Sequence, residues 1–122
     1  MKASWGTCET TVESRDDLDA VIEAVRRSGQ PTMVFLQAAN GNVLVFGVGQ
    51  DESVLTFTEP DGTSFHSLGN RERKGYLLSR CRDQVDEFMT EMAVPENDAI
   101  VAAGQFLATG ECPPGVQWER DW

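Results

Sequence analysis

The sequence runs to 122 residues, 40% of them hydrophobic and 25% charged, and 20 acidic against 10 basic side chains give it a net charge of −10. That length suggests a single domain over residues 1–122 with a core of its own, and the composition excludes a disordered chain. The acid excess argues against nucleic acid as a direct partner, because phosphate contacts need Lys and Arg. Apolar runs such as Met33-Val34-Phe35-Leu36 are far short of the roughly 20 residues that span a membrane.

In chain order, residues 5–12 (WGTCETTV) are Thr-rich and end on a β-branched residue, which predicts a strand. Ser14 is placed as a helix N-cap, with Asp16 and Asp17 at the positive end of the dipole. Leu18, Val21, Ile22 and Val25 follow at i, i+3, i+4 and i+7, one apolar stripe of a helix. Gly29 ends it and Pro31 prevents a restart. TMVFLQ (residues 32–37) predicts a strand, Asn40-Gly41 a tight hairpin turn, and VLVFGV (residues 43–48) the returning strand. Further strands are predicted at residues 53–58 and 63–68, separated by the turn Pro60-Asp61-Gly62. Connections this short leave no room for parallel crossovers, so these strands should form an antiparallel meander.

Residues 69–75 read as a polar loop and YLLSRC (residues 76–81) as one more strand. Residues 82–93 give no regular pattern and are expected to be irregular. Val94-Pro95 leads into a helix with Ala99, Ile100, Ala103, Phe106 and Leu107 on one face. Gly110 supplies a left-handed residue to close it, and Pro113 and Pro114 forbid continuation. Val116 and Trp118 then offer apolar surface, so Phe106, Gly110, Pro114 and Trp118 are expected to be structural, with Trp118 buried. The order β-α-β-β-β-β-β-α-β implies an α+β domain, with an antiparallel sheet and both helices on one face.

Charge is uneven. Residues 71–82 carry Arg71, Arg73, Lys74, Arg80 and Arg82 against Glu72 alone, whereas residues 83–98 carry six acids and no base. The acids Asp83, Asp86, Glu87 and Glu91, with Tyr76 and Phe88 as aromatic anchors, form one candidate surface for a protein partner. Asp51 and Glu52, beside a turn, form a second. Solvated loops also carry such runs.

Nothing in the sequence has the spacing of an active site. His66 is the sole histidine, and no third residue completes a nucleophile–base arrangement with it and Ser64. Cys8, Cys81 and Cys112 lack zinc spacing and are expected to be reduced thiols. There is no phosphate-cradling glycine loop and no calcium loop. No cofactor, metal or enzymatic activity is expected. The first residues, MKASWGTCETTVESRDDLD, hold no apolar core of signal-peptide length, so a cytoplasmic location is expected.

The closing segment carries a resemblance. Val94-Pro95, then Ala99, Ala103 and Phe106, then ATGE at residues 108–111, Pro114 and Val116-x-Trp118 form a pattern similar to the family numbered first among the immunity proteins of bacterial polymorphic toxin systems. Upstream, the early helix, the Asn40-Gly41 hairpin and Phe65-x-Ser67-x-Gly69-Asn70 agree in order. Cys112-Pro113 stands where a charged residue before a single proline is commoner, and the Arg-rich residues 71–82 replace a segment that is often acidic or aromatic. The resemblance implies a non-catalytic, cofactor-free inhibitor of a toxin made by the same cell, often a nucleic-acid cytidine deaminase. A toxin acting on DNA or RNA should carry a basic groove that an acidic protein can occupy, so a basic toxin domain at about 1:1 is the expected partner, and no homo-oligomer is expected. An acidic adaptor or secretion chaperone for a basic partner is the alternative.

Overall fold

The computed structural model describes residues 1–121. Strands β1 (Lys2–Trp5) and β2 (Cys8–Thr11) precede helix α1 (Arg15–Arg27). Strands β3 (Thr32–Gln37), β4 (Val43–Val48), β5 (Glu52–Ser53), β6 (Leu55–Thr58) and β7 (Ser64–Ser67) follow. Next come β8 (Tyr76–Cys81), β9 (Gln84–Met89), a 3-10 turn (Thr90–Met92) and β10 (Val94–Pro95). Helix α2 (Glu96–Thr109) and β11 (Trp118–Arg120) complete the fold. The main sheet runs β11-β7-β6-β4-β3-β1-β2, and β3-β4-β6-β7 is the expected antiparallel meander. The fold is α+β.

Three expectations about the strands change. Residues 5–12 are not one strand: the chain reverses at Gly6 and pairs β1 with β2, Trp5 opposite Cys8. Residues 53–58 divide at Val54, where the Gly47 N–H is shared between the Val54 carbonyl at 3.3 Å and the Ser53 hydroxyl at 2.9 Å. Residues 82–93 are not irregular: half of them form β9, paired along its length with β8, and Thr90–Met92 form the 3-10 turn.

Alternation sets the two faces of the main sheet. Val34, Leu36, Leu44, Phe46, Val48, Leu55 and Phe57 point to one side and are buried there. Leu18, Val21, Ile22 and Val25 of α1 and Ala99, Ala102, Ala103 and Phe106 of α2 close over them in one core. The helix stripes are therefore those the spacing predicts, except that Ile100 and Leu107 are only half-buried and Ala102 joins the face. The α1 start is a full capping box: the Ser14 hydroxyl accepts from the Asp17 amide, and the Asp17 carboxylate accepts from the Ser14 amide.

The C-terminal device works through residues far away in sequence. Gly110 sits at φ 71°, the left-handed region, and its amide returns to the Phe106 carbonyl at 2.7 Å. The Gly110 carbonyl accepts from Asn42 Nδ2 at 2.8 Å and Asn40 Nδ2 at 3.1 Å. The Asn40-Gly41 turn is thus also the clasp for the end of α2. Pro114 is exposed, and its neighbour Pro113 is the buried one. Trp118 is half-buried rather than buried, because it lies on the edge strand β11 opposite Ser67. Its ring sits 6.4 Å from Phe57, and its Nε1 donates to the Pro113 carbonyl at 2.7 Å. Phe106 meets the same Phe57 edge-on at 6.1 Å.

The upstream residues shared with the family pattern are fold residues too. The buried Ser67 hydroxyl accepts from the Leu55 amide at 3.0 Å and donates to the Met92 carbonyl at 2.7 Å. A Cβ at Gly69 would lie 1.9 Å from the Ala93 carbonyl oxygen, so no side chain fits there.

Candidate partner-binding surface

Among the described residues no helix lies on the opposite face of the sheet. The β8–β9 hairpin packs on it, against Met33, Gly47 and Phe35. Two residues, Arg82 and Asp83, join the strands, and Cys81 pairs with Gln84 directly across the turn. Arg82 takes φ 60°, and it is the one non-glycine residue with positive φ among the described residues. A side chain in that region costs about 1–2 kcal/mol. The guanidinium lies 4.2 Å from the centre of the Phe35 ring, a cation–π contact that helps offset the cost and holds the hairpin tip against the sheet. The Arg80 amide donates to the Pro31 carbonyl at 2.8 Å, and Gln50 Nε2 donates to the Leu78 carbonyl at 3.0 Å. At the open end, the Thr90 amide closes onto the Gly75 carbonyl at 3.0 Å.

The pleat divides the hairpin's side chains. Leu77, Ser79 and Phe88 face inward and line a small cavity with Met33 and Gly47. The Ser79 hydroxyl is buried there without a hydrogen-bond partner among the described residues. Tyr76, Leu78, Val85 and Met89 face outward, 65%, 55%, 65% and 46% exposed. The remaining large apolar side chain exposed among the described residues is Val101, on α2. An apolar group of this kind is informative because folding alone gives no reason for it.

The residues expected to form the first surface do not share one face. Tyr76 is outward, opposite Met89, while Phe88 is inward and half-buried. Asp83 is exposed on the turn, and Glu87 is exposed on the outer face opposite Leu78. Asp86 lies on the inner side opposite Ser79. Burial pushes the Cys81 thiol up, and the Asp86 carboxylate beside it adds to the effect. Glu91 is half-buried in the 3-10 turn, where its carbonyl accepts from the Gly69 amide at 2.8 Å. At the second surface Asp51 is exposed, but Glu52 is held by Arg73 in a two-pronged ion pair. The Arg73 hydrogen bond keeps the Glu52 carboxyl below its ordinary range.

The basic residues 71–82 are largely committed inside the molecule. Arg73 pairs with Glu52 and Arg71 with Glu119. Arg80 donates to Gln30 at 3.2 Å, and Arg82 covers Phe35. Glu96, from the acidic run, accepts from Arg26 at 2.7 Å and from the Gly49 amide at 2.8 Å. Lys74, with Arg71 and Arg73, lines a pocket beside Tyr76, Met89 and Glu91, so bases border the acids at the open end of the hairpin.

His66 is bonded through Nδ1 to Asp121, and its Nε2 lies 3.5 Å from Glu119. Ser64, on the same face, is paired with Thr58 at 3.3 Å. Among the described residues no group of three or more His, Cys, Asp or Glu is arranged to hold a metal ion. No helix of the described residues is long and apolar enough to cross a membrane. All three cysteines are free thiols.

Sequence reasoning missed Leu78, Val85 and Met89. The signal was there in part: Val85 and Met89 fall at i and i+4, but Phe88 breaks the alternation and the acids between them suggest a loop. The model of the family described as Immunity protein Imm1 matches residues 6–120, nearly the whole chain. No curated protein matches the sequence.

Proposed function

Since the chain belongs to the Imm1 family of immunity proteins, whose role is to bind and neutralise a cognate toxin, we propose that its target is a toxin domain acting on nucleic acid, of the cytidine deaminase type. The observation that carries this reading is the net charge of −10, concentrated in a run without bases at residues 83–98. A toxin that handles DNA or RNA needs a basic groove, and an acidic protein is attracted to it by its field. Inhibition is steric: the bound protein closes the pocket that must receive the extruded base. The protein acts in the cytoplasm, one copy to one toxin, and contributes no catalytic step.

The test is to co-express the chain with the toxin domain encoded beside it, purify the pair and assay cytosine deamination on single-stranded DNA. The expected result is a 1:1 complex without deaminase activity. A complex that deaminates at the rate of the toxin alone would instead identify an adaptor or secretion chaperone. A toxin domain with another chemistry would overturn the deaminase assignment and leave the immunity role standing.

A further inference from the structure

Among the described residues β9 pairs with β8 alone, and its other edge is open. The direction of its backbone groups follows from the turn. In an antiparallel pair, successive residues point their N–H and C=O alternately toward and away from the partner strand. The Arg80 amide and the Leu78 carbonyl point away from β9, as their bonds to Pro31 and Gln50 record. Their opposite numbers, Val85 and Glu87, therefore point away from β8, and Met89 follows by the same alternation. These three residues present a row of edge donors and acceptors. Their side chains lie on the outer face, where Tyr76 and Leu78 continue the apolar surface across β8 and Arg80 stands opposite Val85.

We propose that this edge and face are where the toxin domain docks: an extended basic segment of the toxin pairs with β9 as an added strand, and its neighbouring apolar side chains cover Tyr76, Leu78, Val85 and Met89. The proposal rests on the toxin-binding reading above and specifies its surface. Main-chain hydrogen bonds supply affinity in strand addition, and side chains at alternate positions supply specificity. Three features of the molecule select this occupant. The edge is open, the exposed apolar side chains cluster on the adjoining face, and the strand and its flanks carry acids with no base from residue 83 to residue 98. The same charge disfavours a second copy of this chain. Two β9 strands related by a two-fold axis at Glu87 would set Glu87 against Glu87, and like charges directly opposite are destabilising.

Proline substitution isolates the edge. A proline on an edge strand is tolerated where the lost N–H faced solvent, so Glu87→Pro and Val85→Pro remove an edge donor and leave the β8 pairing in place. Glu87→Gln removes the charge and keeps the donor. Glu9→Pro, on the open edge of β2, is the control. Affinity for the purified cognate toxin domain is measured by calorimetry, with circular dichroism to verify folding. Each β9 proline should weaken binding about tenfold or more, Glu87→Gln less than that with a shallower salt dependence, and Glu9→Pro less than about twofold. Tyr76→Ala with Leu78→Ser, which leaves the backbone untouched, should also lose about tenfold or more. This pair decides the matter if the prolines unfold the hairpin. Parent-like affinity in the folded variants would overturn the docking surface while the parent's own binding upheld the immunity reading. A parent that fails to bind would overturn that reading itself. A dimer of the parent in sedimentation, dissolved by Glu87→Pro, would overturn the proposal in favour of self-association.

Discussion

The two faces of the central sheet are built to different ends. On the helix side, Val34, Leu36, Leu44, Phe46 and Phe57 are buried under two helices, and the polar groups at the margin are paired, as Asn42 is with Gly110. On the other side a hairpin is held at its tip by one cation–π contact and along its flank by a few hydrogen bonds. Among the described residues, that hairpin leaves a hydroxyl without a partner inside and four large apolar side chains outside. The same residue types are spent on stability in one place and left available in the other. Locally strained, incompletely satisfied structure is expected where a protein meets its partner.

Truncation of the largest side chains should separate the two regions most clearly. Phe106→Ala should cost about 3–5 kcal/mol in urea unfolding, since the ring is fully enclosed and contacts Phe57. Leu78→Ala, an equally apolar residue, should shift stability by no more than about 0.5 kcal/mol. Equal losses would mean that the hairpin belongs to the core.

A smaller effect is expected at the clasp between the Asn40-Gly41 turn and α2. Asn42→Ala removes the shorter of two donors to the Gly110 carbonyl and should cost about 1–2 kcal/mol. A protein as stable as the parent would show that Asn40 alone suffices.

The Glu52–Arg73 pair carries a pH signature. Arg73 lowers the folded-state pKa of Glu52, chiefly by hydrogen bonding. Its stabilisation is therefore complete above the unfolded value of about 4.3 and is lost as pH falls through the lower folded value. The stability gap between the parent and Glu52→Gln should be under about 1 kcal/mol at pH 7, because the pair is partly exposed. It should close as the pH drops below about 4. A gap that widens in acid would contradict the assignment.

One effect has the opposite sign. Ser79→Ala deletes a hydroxyl that is buried without a partner, and it should leave thermal stability unchanged or raise it by up to about 1 kcal/mol. A loss of stability would reveal a hydrogen bond to that hydroxyl.

These regions were not equally legible in the sequence. Leu18, Val21, Ile22 and Val25 announce α1 because a buried stripe has only one spacing that fits a helix. Asn40-Gly41 announces its hairpin because few residues accept the required backbone. The β8–β9 hairpin gives neither sign. Its turn is Arg82-Asp83, and the positive φ of Arg82 is sustained by Phe35, far away in sequence. Its strands are apolar on both faces, Leu77 and Phe88 inward and Tyr76, Leu78, Val85 and Met89 outward, so no clean period of two survives. Trp118 looked like a buried closing residue because sequence shows its apolar neighbours but not that β11 is the last strand of the sheet. The acids Asp83, Asp86, Glu87 and Glu91 read as one cluster, and the pleat then divided them between faces.

Hydrogen exchange on the unmodified protein, alone and with the cognate toxin domain, tests the assignment of the partner surface most directly. In the protein alone the amides of Val85, Glu87 and Met89 should exchange fast, as unpaired edge groups do, while those of α2 exchange slowly. In the complex these three amides should slow by about tenfold or more while α2 changes little. A complex in which the three edge amides still exchange at their original rates, with new protection elsewhere, would contradict the hairpin as the docking surface.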